Sequence, residues 1–252
     1  MTDHIHDDIE SEARRIVAAG QAQGLLLRLL GGLAVRIHSP SASHRALARA
    51  YPDMDFVIPA RRSHAGEKLL SGLGYEPNKN FNLLNGDSRL LFYDNAHERQ
   101  IDVFVGQFEM CHRLPIAERL DKESLTIPLA ELLLTKLQIV HLNEKDVRDI
   151  CALLLDHPLG DADDETINLP RIAQLCAEDW GLWKTVGVSL DKVRDFSDTY
   201  GLEDGQRCTI GERLGRLREA LDQVPKSLKW KVRAAVGERV QWYELPEEVR
   251  RG

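Results

Sequence analysis

The apolar positions of the chain change period about halfway along it. In residues 7–21, Ile9, Ala13, Ile16 and Val17 recur at three- and four-residue spacing, which predicts an amphipathic helix with an end loosened by Gly20 and Gly24. Residues 25–30 are an almost unbroken apolar run, too short for a helix and followed at once by Gly31 and Gly32. The parse is strand, glycine turn, then a short helix over 33–38. Residues 39–51 are small and polar, with a weak helical signal at 44–50. Residues 53–58 predict a strand that Pro59 stops, and 61–73 a helix ended by Gly72 and Gly74.

From 75 to 105 the signal is that of strands, at 81–84, 89–93 and 100–105, with Asn85, Gly86 and Asp87 as a hairpin turn between the first two. A weaker strand at 112–118 is interrupted by Pro115, and a better one lies at 125–127. Beyond residue 129 the period becomes helical. Helices are predicted at 129–142, at 144–155 with Asn143 as N-cap, and, after an acidic Pro- and Gly-containing linker over 156–166, at 170–179, 182–200, 210–224 and 226–240. Leu214, Leu217, Leu221 and Val224 form a stripe that reads as core. The expected fold class is α+β: a mixed sheet with helices over residues 1–128, then an all-helical region over 129–252, with the boundary near Pro128.

Composition adds limits to this picture. At 43% hydrophobic and 29% charged residues, the chain has the make-up of a globular protein of one large or two small domains. No apolar run is long enough to cross a bilayer, and residues 1–10 are acidic and contain no basic leader pattern, so the expectation is a soluble, cytoplasmic protein with no membrane partner. The four cysteines are scattered and read as reduced, mostly buried thiols. The net charge of −7 is uneven: residues 161–205 hold eleven acids and four bases, residues 206–240 nine bases and four acids. This balance excludes a general nucleic-acid coater. The basic stretch reads first as a solvated helix face and second as a local surface for phosphates.

The candidate chemistry centres on Asp53 and Asp55. One residue apart at the mouth of a strand, they share a face, and two like charges held that close need a compensating cation. Gly31 and Gly32 between strand and helix leave backbone N–H groups free for a phosphate. Asp102, between Ile101 and Val103, is a carboxylate in a predicted strand interior, which is costly unless paired. Together these oxygens suit Mg²⁺. Plainer readings stand beside these: a tight turn for the glycines, turn-forming aspartates at a strand start, solvated or snorkelling Arg49 and Lys136, and helix-surface charges for Asp146 and Asp149. Trp180 and Trp183 read as core, and His112 and His141 have no partner at ligand spacing.

The order of these pieces resembles the nucleotidyltransferase superfamily that includes DNA polymerase β, and within it the AbiEii or MenA-like toxin branch. The matching residues are Leu30, Gly31 and Gly32, then Asp53, Met54, Asp55 and Phe56, then Ile101, Asp102 and Val103. Arg49, four positions before the first acid, Lys136, and the Lys145–Asp146 step match the branch. Tyr51 stands where a small hydroxyl residue is often found. The resemblance covers roughly residues 25–155. It implies transfer of a nucleoside monophosphate from an NTP such as ATP to an acceptor hydroxyl on RNA, protein or a small molecule, and an antitoxin as partner. It also implies two ions, Mg²⁺ or Mn²⁺, held by Asp53, Asp55 and Asp102, with the triphosphate at Gly31, Gly32, Arg49 and Lys136. The alternative is a nucleotide-binding or interaction module on the same fold without catalysis.

Overall fold

A computed structural model describes residues 5–245; the first four residues of the acidic N-terminal stretch lie outside the described residues. Helix α1 (Ile9–Ala22), capped by Asp8, leads into strand β1 (Arg28–Leu30), which turns at Gly31 directly into α2 (Gly31–His38). A short 3-10 turn at Pro40–Ser43 follows, so the weak helical signal at 44–50 is corrected to irregular chain. Pro40 occupies the first position of that turn, where its missing N–H costs nothing. Next come β2 (Met54–Ile58), α3 (Ser63–Gly72), β3 (Glu76–Pro77), α4 (Lys79–Asn85), β4 (Arg89–Asp94) and β5 (Arg99–Val105).

The expected strand at 81–84 is therefore a helix. Asn78 caps it, accepting from the Phe81 amide at 3.1 Å, and Asn82 turns inward to receive the Leu91 amide at 2.7 Å. Leu83 and Leu84, whose bulk suggested a strand, are 85% and 82% exposed. The hairpin that forms is instead β4 with β5.

The five strands make one mixed sheet in the order β1-β2-β5-β4-β3. Only the β2–β5 pairing is parallel, and its register places Asp55 beside Asp102. β1 pairs antiparallel with β2, so that Leu30 also lies beside Asp55. The stretch predicted at 125–127 is extended and hydrogen-bonds to Leu29 on the outer side of β1. The predicted strand at 112–118 shrinks to a minor hairpin of β6 (Phe108–Glu109) and β7 (Arg113–Leu114), because Pro115 ends it.

The second half runs through α5 (Leu129–Leu137), α6 (Glu144–Asp156), β8 (Leu159–Gly160), β9 (Ile167–Asn168), α7 (Leu169–Glu178), α8 (Trp180–Ser197), α9 (Asp204–Gln223) and α10 (Leu228–Val236). Two corrections apply. The region is not all-helical, since β8 and β9 pair in parallel across the acidic linker; and the first helix ends at Leu137, the chain unwinding through 138–143 until Asn143 caps α6. One buried apolar cluster contains Phe56 and Val103 of the sheet together with Leu132, Ile150, Val186 and Leu217 of the helices. Each such side chain contributes about 1.5–3 kcal/mol by leaving water. Helix α2 packs against α5 and α6, and this contact brings the second half up to the aspartate end of the sheet.

Candidate functional site

The sheet register gathers the site. Asp53 is exposed just before β2, Asp55 is half-buried within it, and Asp102 is buried on the adjoining strand. Gly31 follows the Leu30 that pairs with Asp55, and its φ of +73° belongs to the region glycine favours. A Cβ there would overlap the Oδ2 of Asp55, and a Cβ on Gly32 would overlap the guanidinium of Arg49. Gly31 is therefore required by the turn and by close approach, and Gly32 by the close approach of Arg49 alone. No side chain caps α2, so its first amides face the carboxylate end of the sheet without an internal partner.

Asp53 and Asp55 are held in an unfavourable state. Burial, and then the charge of Asp102, push the Asp55 carboxyl up to about 7, with Lys136 and Arg89 pulling the other way. Asp53 is raised by the same two causes and is opposed by Lys145. Asp102 itself is well supplied: one oxygen accepts from Arg89 Nε at 2.7 Å and the other from Gln100 Nε2 at 2.8 Å.

A second group of charges closes the opposite wall. Arg49 meets Asp149 through Nε and Nη2, both at 2.7 Å, and stacks 4.0 Å over the ring of Tyr51. The Lys136 ammonium lies 3.0 Å from Asp146 and 2.9 Å from Asp149. Burial works to lower the Lys136 pKa, but the two aspartates outweigh it and the net direction is upward. Asp146 and Asp149, read from sequence as surface charges, are both buried.

The carboxylates stand between two chambers. A polar one of about 160 Å³ is walled by Gly32, Arg49, Tyr51 and Lys145; a wider one of about 630 Å³ by Arg89, Gln100, Phe104, Met110 and Ile139. Asp53, Asp55, Lys136, Asn143 and Asp146 line both. The first suits a phosphate tail and the second a bulkier group.

The donor set fits a hard divalent cation only in part. Asp53 and Asp55 offer carboxylate oxygens that lack a full counter-charge, and Mg²⁺ commonly takes one or two carboxylates and completes its shell with water and phosphate. The third acid is tied to Arg89 and Gln100, and among the described residues no three Asp, Glu, His or Cys side chains form a ready-made metal cluster.

Of the seven residues singled out from the sequence, Gly31, Gly32, Arg49, Asp53, Asp55 and Lys136 line the two chambers, while Asp102 lies beside Asp55 in the sheet and lines neither. Sequence reasoning missed Arg89, Gln100 and the engagement of Asp149. Arg89 acquires its place through the β4–β5 pairing, which sets it diagonal to Asp102 with Leu91 opposite that acid, and the hairpin expected from sequence paired 89–93 with 81–84 instead. His112 is a buried structural residue bonded to Thr185 at 2.8 Å.

No protein-family model and no curated protein sequence matches the chain. Among solved structures it is similar to the solution structure of the antibiotic-resistance factor ANT(2'')-Ia, at 15% identity and a TM-score of 0.40, covering 65% of this chain and 90% of that one. It is also similar to the crystal structure of an antigenic nucleotidyltransferase-like protein from Paracoccidioides brasiliensis, at 13% identity and a TM-score of 0.44, covering 88% of this chain and 95% of that one.

Proposed function

We propose that this chain is a nucleotidyltransferase that moves a nucleoside monophosphate from an NTP to an acceptor hydroxyl. The observation that carries the reading is the under-compensated Asp53 and Asp55 pair set against Gly31 and the uncapped start of α2. A site of this kind lacks a cation and offers amides to an anion, and an NTP with Mg²⁺ supplies both.

Asp53 and Asp55 would hold the ion, which supplies Lewis-acid stabilisation of the phosphates. The amides of Gly31 and Gly32 and the cations Arg49, Lys136 and Lys145 bind the triphosphate tail in the narrow chamber. The acceptor oxygen attacks the α-phosphorus, the bond from that phosphorus to the bridging oxygen breaks, and pyrophosphate leaves toward the same cations. The hydroxyl proton passes to water in the wide chamber; Asp102, beside Asp55 in the sheet but lining neither chamber, keeps its oxygens on Arg89 and Gln100 and positions Asp55.

A second reading, nucleotide binding without transfer, is favoured by the engagement of both Asp102 oxygens by Arg89 and Gln100. One experiment separates the two. The protein is incubated with each α-labelled NTP, Mg²⁺ or Mn²⁺, and total cell extract, while its melting temperature is followed with unlabelled NTP. Label on RNA, protein or a small molecule that is lost in Asp53→Asn with Asp55→Asn supports transfer; a melting shift with no label on anything supports the binding module. The toxin role rests on Arg49, Lys136 and the Lys145–Asp146 step alone. Induced expression in a host should arrest growth, and the double Asn variant should not; equal growth of both would remove the toxin reading.

A further inference from the structure

The last described residues form a strap between two cavities. After α10 the chain turns at Gly237, at φ +60°, and residues 241–245 run without secondary structure back toward the cleft. On one side lies a groove of about 870 Å³ between α10 and the start of α8, lined by Trp242, Tyr243 and Glu244. On the other lies the wide chamber beside Asp53 and Asp55, lined by Leu245. Met110 and Cys111 line both cavities, so the strap is the partition between them.

The root of the strap is firmly held. Arg233 on α10 lies 4.7 Å over the Trp180 ring and donates to the carbonyls of Gly237 at 2.6 Å and Val240 at 2.7 Å. The tip is seated on α8 and on the β6–β7 turn. Trp242 Nε1 donates to Thr185 Oγ1 at 3.1 Å, and its ring stands edge-on to Trp180 with centroids 6.0 Å apart. Gly181, in the first turn of α8, leaves room for it: a Cβ there would lie 2.6 Å from the Trp242 carbonyl oxygen. The Glu244 amide donates to the Cys111 carbonyl at 3.0 Å, the only main-chain bond from 241–245 to the body among the described residues.

The strap touches two rims of the wide chamber, Cys111 through Glu244 and His141 through Tyr243, whose ring is edge-on to the imidazole at 6.5 Å. Its tip is nevertheless shallow. Leu245 shares the chamber wall with Phe104, Phe108 and Ile139 but stays 59% exposed. A segment with little buried apolar surface and one main-chain bond belongs to the part of a fold that opens first, and lids are drawn from that part.

We propose that residues 241–245 are a latched strap over the wide chamber. Release of the tip from Thr185 and Cys111, with Arg233 keeping the root in place, joins chamber and groove and admits a bulky ligand. That this ligand is the acceptor rests on the transfer reading; the opening does not.

The test uses the full chain without NTP and reads the thiol of Cys111, which is buried beside the strap. A Cys208→Ser background removes the exposed cysteine. Cys151 and Cys176 stay silent, because burial pushes both thiols up, Cys151 to about 12. Alkylation is timed with iodoacetamide and with the bulkier fluorescein maleimide, and each variant's melting curve is taken alongside. The parent should label slowly, and more slowly still with the bulky reagent. Trp242→Phe, which removes only the indole N–H from the latch, should speed labelling about two- to tenfold, the range of one neutral hydrogen bond. Gly181→Ala, whose Cβ meets the strap, should speed it as well. Trp242→Ala with Leu245→Ala should label fastest and discriminate least between the reagents. Equal rates in the parent and all three variants would overturn the proposal. So would fast labelling of the parent by both reagents, or labelling of Cys151 in step with Cys111, which would mean that the whole fold opens. Absence of NMP transfer in every variant would sink the transfer reading and leave these rates untouched.

Discussion

Helix α5 carries two buried charges a turn and a half apart, and their surroundings differ. Glu131, in the first turn, meets Arg119 at 2.8 Å and Arg171 at 2.9 Å, with Asp163 on the far side of Arg119 at 2.6 Å. Lys136, in the last turn, meets Asp146 and shares Asp149 with Arg49. Each cluster holds two cations and two anions. Around Glu131 the balance ends there, and the cluster ties α5 to α7 and to the short turn before it. Around Lys136 the balanced set abuts Asp53 and Asp55, which form no ion pair of their own among the described residues and feel Lys136, Arg89 and Lys145 less than they feel burial and Asp102. Buried charge alone therefore does not set the candidate site apart in this protein; surplus charge of one sign beside a balanced cluster does.

The comparison can be broken most strongly at the surplus. Asp53→Asn with Asp55→Asn should lower NMP transfer by about a thousandfold or more, measured as labelled product, and should leave the melting temperature unchanged or raised. A marked fall in melting temperature would mean that the pair is structural after all.

At the balanced cluster the expectation is the reverse. Glu131→Ala leaves two guanidinium groups without their shared carboxylate and should cost about 3–5 kcal/mol in urea unfolding, with transfer per folded molecule retained. Gly31→Ala combines both effects. Its backbone lies at φ +73° and its new Cβ would displace the Asp55 carboxylate. About 1–3 kcal/mol of stability should go, and transfer should fall by more than the unfolded fraction explains.

The smallest effect is the pH dependence of the chelator-treated protein. Asp55 is raised from 3.8 to about 7, so the folded chain keeps a proton that the unfolded chain has released. Its contribution is complete below pH 3.8 and is lost as pH rises through 7. His38, lowered from 6.5 to about 4 by burial first and by His157 second, acts oppositely, stability falling as pH drops below 6.5. The difference between wild type and Asp55→Asn isolates the aspartate: melting temperatures should diverge as pH rises from about 4 to 7, and excess Mg²⁺ should close the gap. Parallel curves would show that Asp55 is solvated.

What the sequence disclosed depended on range. Asp55 and Asp102 were legible because alternation in a strand is local and each lies within an apolar run. Asp149 and Arg89 were not, since the first is hidden by side chains from two distant segments and the second acquires its partner only through a strand pairing. The same distinction explains α4. Phe81, Leu83 and Leu84 suggest a strand on composition, but the cap at Asn78 and the inward bond of Asn82 decide for a helix. Trp180 and Trp183 were read as core, and Trp180 is buried with Trp183 packed against the core, but their edge-on contacts with Trp242 and Trp230 need α8, α10 and the segment at 241–245 to meet.

The parallel pairing of β2 with β5 has a consequence for the order in which the chain is made. β4 and β5 are joined by a short turn and can pair as soon as both are synthesised, whereas Asp55 and Asp102 are about 47 residues apart and need a long closure. Asp149 then arrives later still to hold Arg49. A nascent chain released before α6 would carry the aspartates without the wall that encloses them, and should bind no NTP. Under the proposed function this order predicts no NTP binding until α6 has emerged from the ribosome, later than completion of the sheet; stalled chains of graded length, probed for NTP binding, would show the step.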